Sequence, residues 1–330
     1  MKSIEQILKA SDGLLDFHTH STHSDGSRTP SELVVDAKNK GVIALALTDH
    51  NEISGLSEFN QSCKTYGIFP IPFGSEIFAE LPSHLVGQKD NPAPDLIILG
   101  KNPNLAPFKE YQELVRKDLI KRFFPETVEK LRNLGYTITQ NEYDYELNQL
   151  KKKDSKLVSD LLMNFIFNHN NLSNLDKYLS DYNIHDDKGN LVIATRTDET
   201  KKLVNRYLYA IDGKAFVKRI EGFNVDDAIN LAKDINCKSF VAHPGGDYGA
   251  LTNRVLKYYA EKNLGIEVRN YFNDRIQNNN FDLIATSYGL TRSGGSDYHG
   301  PEHKFQLGMH DKKQNQLDKT ILKEIWDALP

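Results

Sequence analysis

The segment Leu14-Leu15-Asp16-Phe17-His18-Thr19-His20-Ser21-Thr22-His23-Ser24-Asp25-Gly26 constrains the fold more than any other. A short apolar run, the length of one buried strand, ends in two histidines one residue apart. Side chains alternate along a strand, so His18 and His20 point to the same side and offer two imidazoles to one ion. Asp25 follows in a turn that Ser24 and Gly26 permit. A lone His-x-His also fits a polar loop. Later segments decide the matter, because each is an apolar run ending in His, Asp or Glu. Residues 42–47 lead into Thr48-Asp49-His50, and 69–73 into Gly74-Ser75-Glu76. Residues 239–242 lead into His243-Pro244-Gly245-Gly246, and 290–293 into Gly294-Gly295-Ser296-Asp297-Tyr298-His299-Gly300.

Helical patterns separate these runs. Thr29-Pro30-Ser31-Glu32 has the form of a capping box with Pro at the first helical position, and Gly41 closes that helix. Further helices are expected near 54–66, 224–236, 251–262, 275–288 and 316–329. Strand, helix and all-apolar strand in succession predict parallel βαβ units. Between 101 and 215 the rhythm breaks. Residues 109–135 read as helical, with Pro125 set to kink or split the run, and 157–167 read as a second apolar helix. The expected organisation is therefore a first part of the main domain over 1–100, a mainly helical insertion over 101–215, and a second part over 216–330.

The chain has 330 residues, 39% of them hydrophobic and 26% charged, which suits a globular protein with a sizeable core. A net charge of −4 gives no overall basic field, so long nucleic acid is not expected as a partner. Cys63 and Cys237 stand far apart and read as two reduced thiols rather than a zinc pair or disulfide framework. No membrane-spanning run and no signal-peptide apolar region is found, so a cytoplasmic location is expected.

Strand C-termini in a parallel barrel open on one face, and active sites form there. Here those ends carry His18, His20, His50, Glu76, His243, Asp297 and His299. Asp25 and His84 bring the total to nine. Nitrogen and carboxylate ligands without thiolates suit Zn, Mn or Fe. One ion takes three or four of them, so the set suffices for two or three divalent ions. A carboxylate such as Glu76 can bridge two ions. Such a cluster performs hydrolysis.

In the order and form of these motifs the chain resembles the PHP (polymerase and histidinol phosphatase) superfamily. The similarity runs nearly the whole length outside the insertion, and points to small phosphoesterases that carry a helical insertion. It implies a distorted seven-stranded TIM-like (β/α)7 barrel, an α/β fold, around a trinuclear site. One metal would take His18, His20, Glu76 and Asp297, a second Glu76, His84 and His243, and a third Asp25, His50 and His299. Glu76, Asp297 and His243 would stand at the reacting centre. His23 falls at a variable position of the motif and is expected in a supporting or exposed role. Asp49, beside a ligand, would orient a neighbour.

The expected activity is hydrolysis of small phosphate esters, nucleotide or sugar phosphomonoesters, by a metal-activated hydroxide. Arg269 at a strand end and Arg122 in the insertion are the candidate phosphate contacts. Such relatives often carry an Arg-rich helix and an Arg-Pro-His segment. The second is missing here, and Arg116, Lys121 and Arg122 are the candidates for the first. The insertion is expected to fold over the site as a cap. The rival readings are a nuclease acting on short RNA or DNA ends and a non-catalytic metal-binding PHP module. Turnover of a phosphate ester separates the last from the other two.

Overall fold

The computed structural model describes residues 3–9, 13–79, 81, 95–152, 158–168, 171, 204, 208, 215, 217, 224–244, 253–270, 275–302, 306–309 and 317–330. His84, His169, His185, His303 and His310 lie outside them. The chain divides into two compact units, Met1–Gln112 with Gly222–Pro330, and Glu113–Glu221.

The first unit is α/β. Its strands are β1 (Leu14–Asp16), β2 (Val42–Leu45), β3 (Phe69–Pro70), β4 (Phe73–Phe78), β5 (Asp95–Gly100), β6 (Lys238–Val241), β7 (Gly265–Asn270) and β8 (Thr291–Gly295). They form a parallel sheet β1-β2-β3 and a five-stranded sheet β4-β5-β6-β7-β8. Within the second sheet β6, β7 and β8 are parallel, whereas β5 runs antiparallel to both neighbours. This corrects the all-parallel expectation. Strands consecutive in the chain can pair antiparallel without a crossover helix. The apolar run Leu96-Ile97-Ile98-Leu99, buried on both faces, does not itself specify direction.

Backbone hydrogen bonds join the two sheets at the level of the predicted ligands. His20 N–H donates to Tyr298 O at 2.9 Å and Asp297 N–H to His18 O at 2.9 Å. On the other side, Asn51 N–H donates to Glu76 O at 2.8 Å. The bridges Thr19–Tyr298 and His50–Glu76 lie at the same places. Gly295 makes the first junction possible. A Cβ there would stand 2.2 Å from His18 Cβ and 2.5 Å from His18 N, so only glycine lets β8 approach so closely.

The helices form where the sequence supplies caps and stripes. Helix α1 spans Ile4–Lys9. In α2 (Pro30–Lys40) Thr29 and Glu32 make the reciprocal capping bonds, and Gly41 ends it at φ 83°. Helix α3 (Leu56–Tyr66) lies beside it, with Ser31 Oγ 2.8 Å from Ser62 Oγ. Helix α4 spans Leu105–Asp118, and its Phe108 packs edge-on against Phe73.

The second unit continues from α4 through a π-helical segment, Leu119–Phe123, into α5 (Phe124–Asn133). Pro125 stands in the first turn of α5. It has no N–H to continue a regular ladder, so the long helical pattern is interrupted there. Helices α6 (Gln140–Lys152) and α7 (Val158–Ile166) follow. Phe124, Val128, Leu131, Leu161, Leu162, Phe165 and Ile166 form the core of this unit.

The remaining helices return to the first unit: α8 (Val225–Asp234), α9 (Asn253–Glu261), α10 (Arg275–Tyr288) and α11 (Lys319–Ala328). Asn224 caps α8. Among the described residues no helix is long and apolar enough to cross a membrane.

Candidate metal centre

The backbone past β1 continues its alternation, so His18 and His20 fall on one side, both fully buried. Their Nε2 atoms are 3.1 Å apart. Glu76 from β4 and Asp297 from the turn after β8 complete a set of four. His18 Nε2 lies 3.1 Å from Glu76 Oε2 and 3.2 Å from Asp297 Oδ1. His20 Nε2 lies 3.2 Å and 3.1 Å from the same two atoms. A hydrogen-bonded pair would draw one donor toward one acceptor. Near-equal separations instead describe the edges of a tetrahedron, and ligands about 2.0–2.1 Å from one ion stand roughly 3.3–3.4 Å apart. The donor set and its spacing fit one divalent ion.

Two further groups adjoin the first. Asp25, His50 and His299 meet beside His20. Asp25 Oδ2 is 3.1 Å from His299 Nε2 and 3.7 Å from His50 Nε2. These side chains are 14–25% exposed, so this group faces solvent while the first is sealed. Glu76, His243 and Asp95 make the third group. His243 Nε2 is 3.2 Å from Glu76 Oε1 and 3.8 Å from Asp95 Oδ2. Glu76 thus sits at the centre. Its Oε2 faces His18 and His20 and stands 3.3 Å from His50 Nδ1, while Oε1 faces His243. Eight of the nine residues singled out in the sequence come together here, and His84 lies outside the described residues.

Asp95 was not legible as a ligand. The sequence pattern sought acidic and histidine residues at the ends of apolar runs, and Asp95 precedes one. Because β5 is antiparallel, its beginning lies where the other strands finish. Glu267 and Asp16 were missed for a different reason, since they sit within apolar strands and bear on the ligands from beneath. Glu267 Oε1 is 3.2 Å from His18 Nδ1, and its Oε2 accepts from His243 N–H at 2.6 Å. Asp16 accepts from Ser296 N–H at 2.9 Å and Ser296 Oγ at 2.6 Å, next to Asp297. Asp49 accepts from Ser21 N–H and Ser21 Oγ, both at 2.7 Å, and from Ser24 Oγ at 2.6 Å. It thereby shapes the loop between His20 and Asp25. These buried carboxylates hold the candidate ligands and their loops in place, the position that outer partners take in metal sites. His23 is half-buried, with Nδ1 2.6 Å from Ser54 Oγ.

Two of the candidate ligands hold uncommon backbone. His243 has φ 25° and Asp297 φ 56°. Non-glycine residues at positive φ concentrate at functional sites. Neither cysteine takes part. Cys63 and Cys237 are buried and free, and burial pushes both thiols up to about 12.

Charge pairing dominates the electrostatics. Burial alone would strip protons from the histidines, yet the carboxylates around them prevail. His20 is raised to about 10 by bonds to Asp297 and Glu76 and by the charge of Asp25, and His243 to about 9 by Glu76. His18 is also raised. Burial favours protonated carboxyls, but the charges of His18 and His50 lower Glu76, His50 and His299 lower Asp25, and His18 lowers Asp297.

These shifts set the sign of a pH effect. In metal-free protein the raised histidines add stability that is full below their unfolded value of 6.5 and is lost as pH rises through about 9–10. The depressed carboxylates add stability above their unfolded values of 3.8–4.5, lost as pH falls below them. Metal ligation requires neutral imidazole, so loading opposes protonation. Melting temperatures of metal-stripped protein should therefore fall between pH 7 and 10, while the increment from added Zn or Mn grows. Parallel melting profiles with and without metal would contradict this.

The candidate phosphate contacts are engaged elsewhere. Arg269 binds Asp282 of α10 and, at 3.0 Å, Val268 O. Arg122 binds Asp118 at 2.6 and 2.8 Å, with Glu126 at 3.6 Å.

An α/β fold whose strand ends gather histidines and carboxylates into adjoining groups defines a class of metal-site hydrolase folds. The PHP domain profile matches residues 16–270, and the chain belongs to that family. It is 25% identical over 321 residues to a 3',5'-nucleoside bisphosphate phosphatase of Chromobacterium violaceum, covering 96% of both chains. A 53-residue stretch is 49% identical to a 5'-3' exoribonuclease of Haemophilus influenzae, covering 16% of this chain and 19% of that one. The fold is similar to that of a candidate metal-dependent phosphoesterase from Bifidobacterium adolescentis, with TM-score 0.66 at 20% identity over 96% of each chain.

Proposed function

We propose that this chain is a metal-dependent hydrolase of small phosphate esters, acting at a site for two or three divalent ions. The observation that carries the reading is the position of Glu76. Both of its oxygens are used, one toward His18, His20 and His50, the other toward His243. Ligand groups that share one carboxylate would hold neighbouring divalent ions, which could clamp the attacking and leaving oxygens of a phosphoryl group. When bound there, divalent ions supply Lewis-acid polarisation and acidify water. The chain's own residues fix the ligands. His299 Nδ1, 2.8 Å from Asp297 O, can donate to it and leave Nε2 for the site. The opening beside Asp25, His50 and His299 is the side from which an ester can enter.

The two sheets, bonded to each other on both sides of the site, act in this reading as one distorted TIM-like barrel. Asp95 would join Glu76 and His243 in holding a further ion. In this reading Arg269 contacts phosphate by exchanging its present carboxylate partner, Asp282.

The bisphosphate phosphatase relative supports a nucleotide substrate, and the short exoribonuclease match keeps 5'-phosphorylated oligonucleotides as a second reading. A panel containing a 3',5'-nucleoside bisphosphate, sugar phosphates, an aryl phosphate and a 5'-phosphorylated oligonucleotide, each with Mn, Zn or Fe, tests both. Phosphate release from a small ester is the expected result. Release of nucleotides from the oligonucleotide alone would favour the nuclease. Absence of turnover with every ester would leave the non-catalytic module.

A further inference from the structure

Glu267 belongs to none of the three ligand groups. It is nevertheless fully buried on β7 and touches two of them. Its Oε1 faces Nδ1 of His18, a member of the first group, at 3.2 Å. Its Oε2 accepts from the backbone N–H of His243, a member of the third, at 2.6 Å. Asn270 Nδ2 donates to the same oxygen at 3.0 Å and fixes the carboxylate plane.

Each bond controls something different. An Nδ1–H donated by His18 to Glu267 leaves the Nε2 lone pair facing Glu76 Oε2 and Asp297 Oδ1, the orientation an ion requires. The bond to His243 N–H holds a residue whose φ of 25° an L-amino acid rarely adopts. That backbone aims the imidazole at Glu76 Oε1. We infer that Glu267 is a positioning residue that ties two metal sites together, setting the tautomer of His18 and the backbone of His243 through one carboxylate. The inference rests on the metal-site reading above. The plain alternative is a buried carboxylate that merely pins β7 to its neighbours and affects the whole fold evenly.

A carboxylate accepts at both ends, and a carboxamide cannot. In Glu267→Gln the amide NH2 must face either His18 Nδ1 or the His243 N–H. The first choice forces the wrong tautomer on His18, and the second sets donor against donor at His243. Shape and volume are kept, so the substitution isolates the acceptor pattern.

The test titrates Zn into wild-type and Glu267→Gln protein against a competing chromophoric chelator, with Co absorption spectra and melting curves recorded alongside. One or both of the sites built on His18 and His243 should weaken about 10–100-fold. The Asp25–His50–His299 site should keep its wild-type affinity, because Asp49 and the Asp297 carbonyl support it. Equal affinities in the two proteins, or a uniform loss at all sites that tracks the melting temperature, would overturn the inference. Wild-type protein that binds no Zn would instead sink the metal-site reading. Should Glu267→Gln fail to fold, long-range 1H–15N correlation on Zn-loaded wild-type protein still decides. His18 must carry its proton on Nδ1, and a metal-bound Nδ1 would refute the inference.

Discussion

Glu76→Gln should lose activity by several orders of magnitude, beyond the ~10–100-fold typical of changes outside the ligand shell. The side chain is fully buried and its two oxygens serve different partners: His18, His20 and His50 on one side, His243 on the other. An amide of the same shape keeps one acceptor oxygen and turns the other end into a donor aimed at histidines. It also removes the negative charge against which those histidines are set. Metal content should fall with activity. Measured kcat/KM for the preferred ester and metal per chain check the prediction together. A variant with normal metal content and a mild kinetic effect would mean that Glu76 does not bridge.

Metal removal should have the next largest effect. Stripped protein should fall to background turnover and recover on addition of Mn or Zn. The fold should weaken as well, because any ligand bound only by the native state stabilises it. An ion present at 100 times its dissociation constant contributes about 2.7 kcal/mol, and whole domains are stable by only about 5–15 kcal/mol. The affected region should include the loop from His20 to Asp25. His20 stays anchored by its backbone bond to Tyr298, whereas Asp25 accepts from Ser24 Oγ at 3.2 Å and otherwise faces histidines of the site itself. Activity assays and melting curves of stripped and reloaded protein check this. Unchanged turnover after complete removal of metal would exclude the mechanism.

The residues that gather into the candidate site were legible because strand alternation and strand termination leave marks in the sequence. His18 and His20 are two apart, so they share a face. His50, Glu76 and Asp297 each close an apolar run. The capping box of α2 could likewise be read from Thr29 with Glu32; at α8 Asn224 could be read as an N-cap, but not its reciprocal bond with Asp227. Strand direction was not legible. Leu96 to Leu99 reads the same in a parallel or an antiparallel strand, and so Asp95, at its beginning, looked like a loop residue. Glu267 was hidden because an acidic residue inside Gly265-Ile266-Glu267-Val268 resembles the polar half of an alternating strand. Only the fold shows that it lies under His18 and His243. The arginines show the opposite limit. Their charge suggested phosphate; Arg122 pairs with Asp118 four residues back, a partner that helical spacing does offer, whereas Arg269 pairs with Asp282, which only the fold brings near.

Anomalous diffraction from crystals of Mn-loaded protein tests the central claim most directly, since it locates each ion among its ligands. The account predicts one peak enclosed by His18, His20, Glu76 and Asp297, with at least one more within bonding distance of the other Glu76 oxygen or of Asp25, His50 and His299. A single peak that does not touch Glu76, or none at full occupancy, would contradict it.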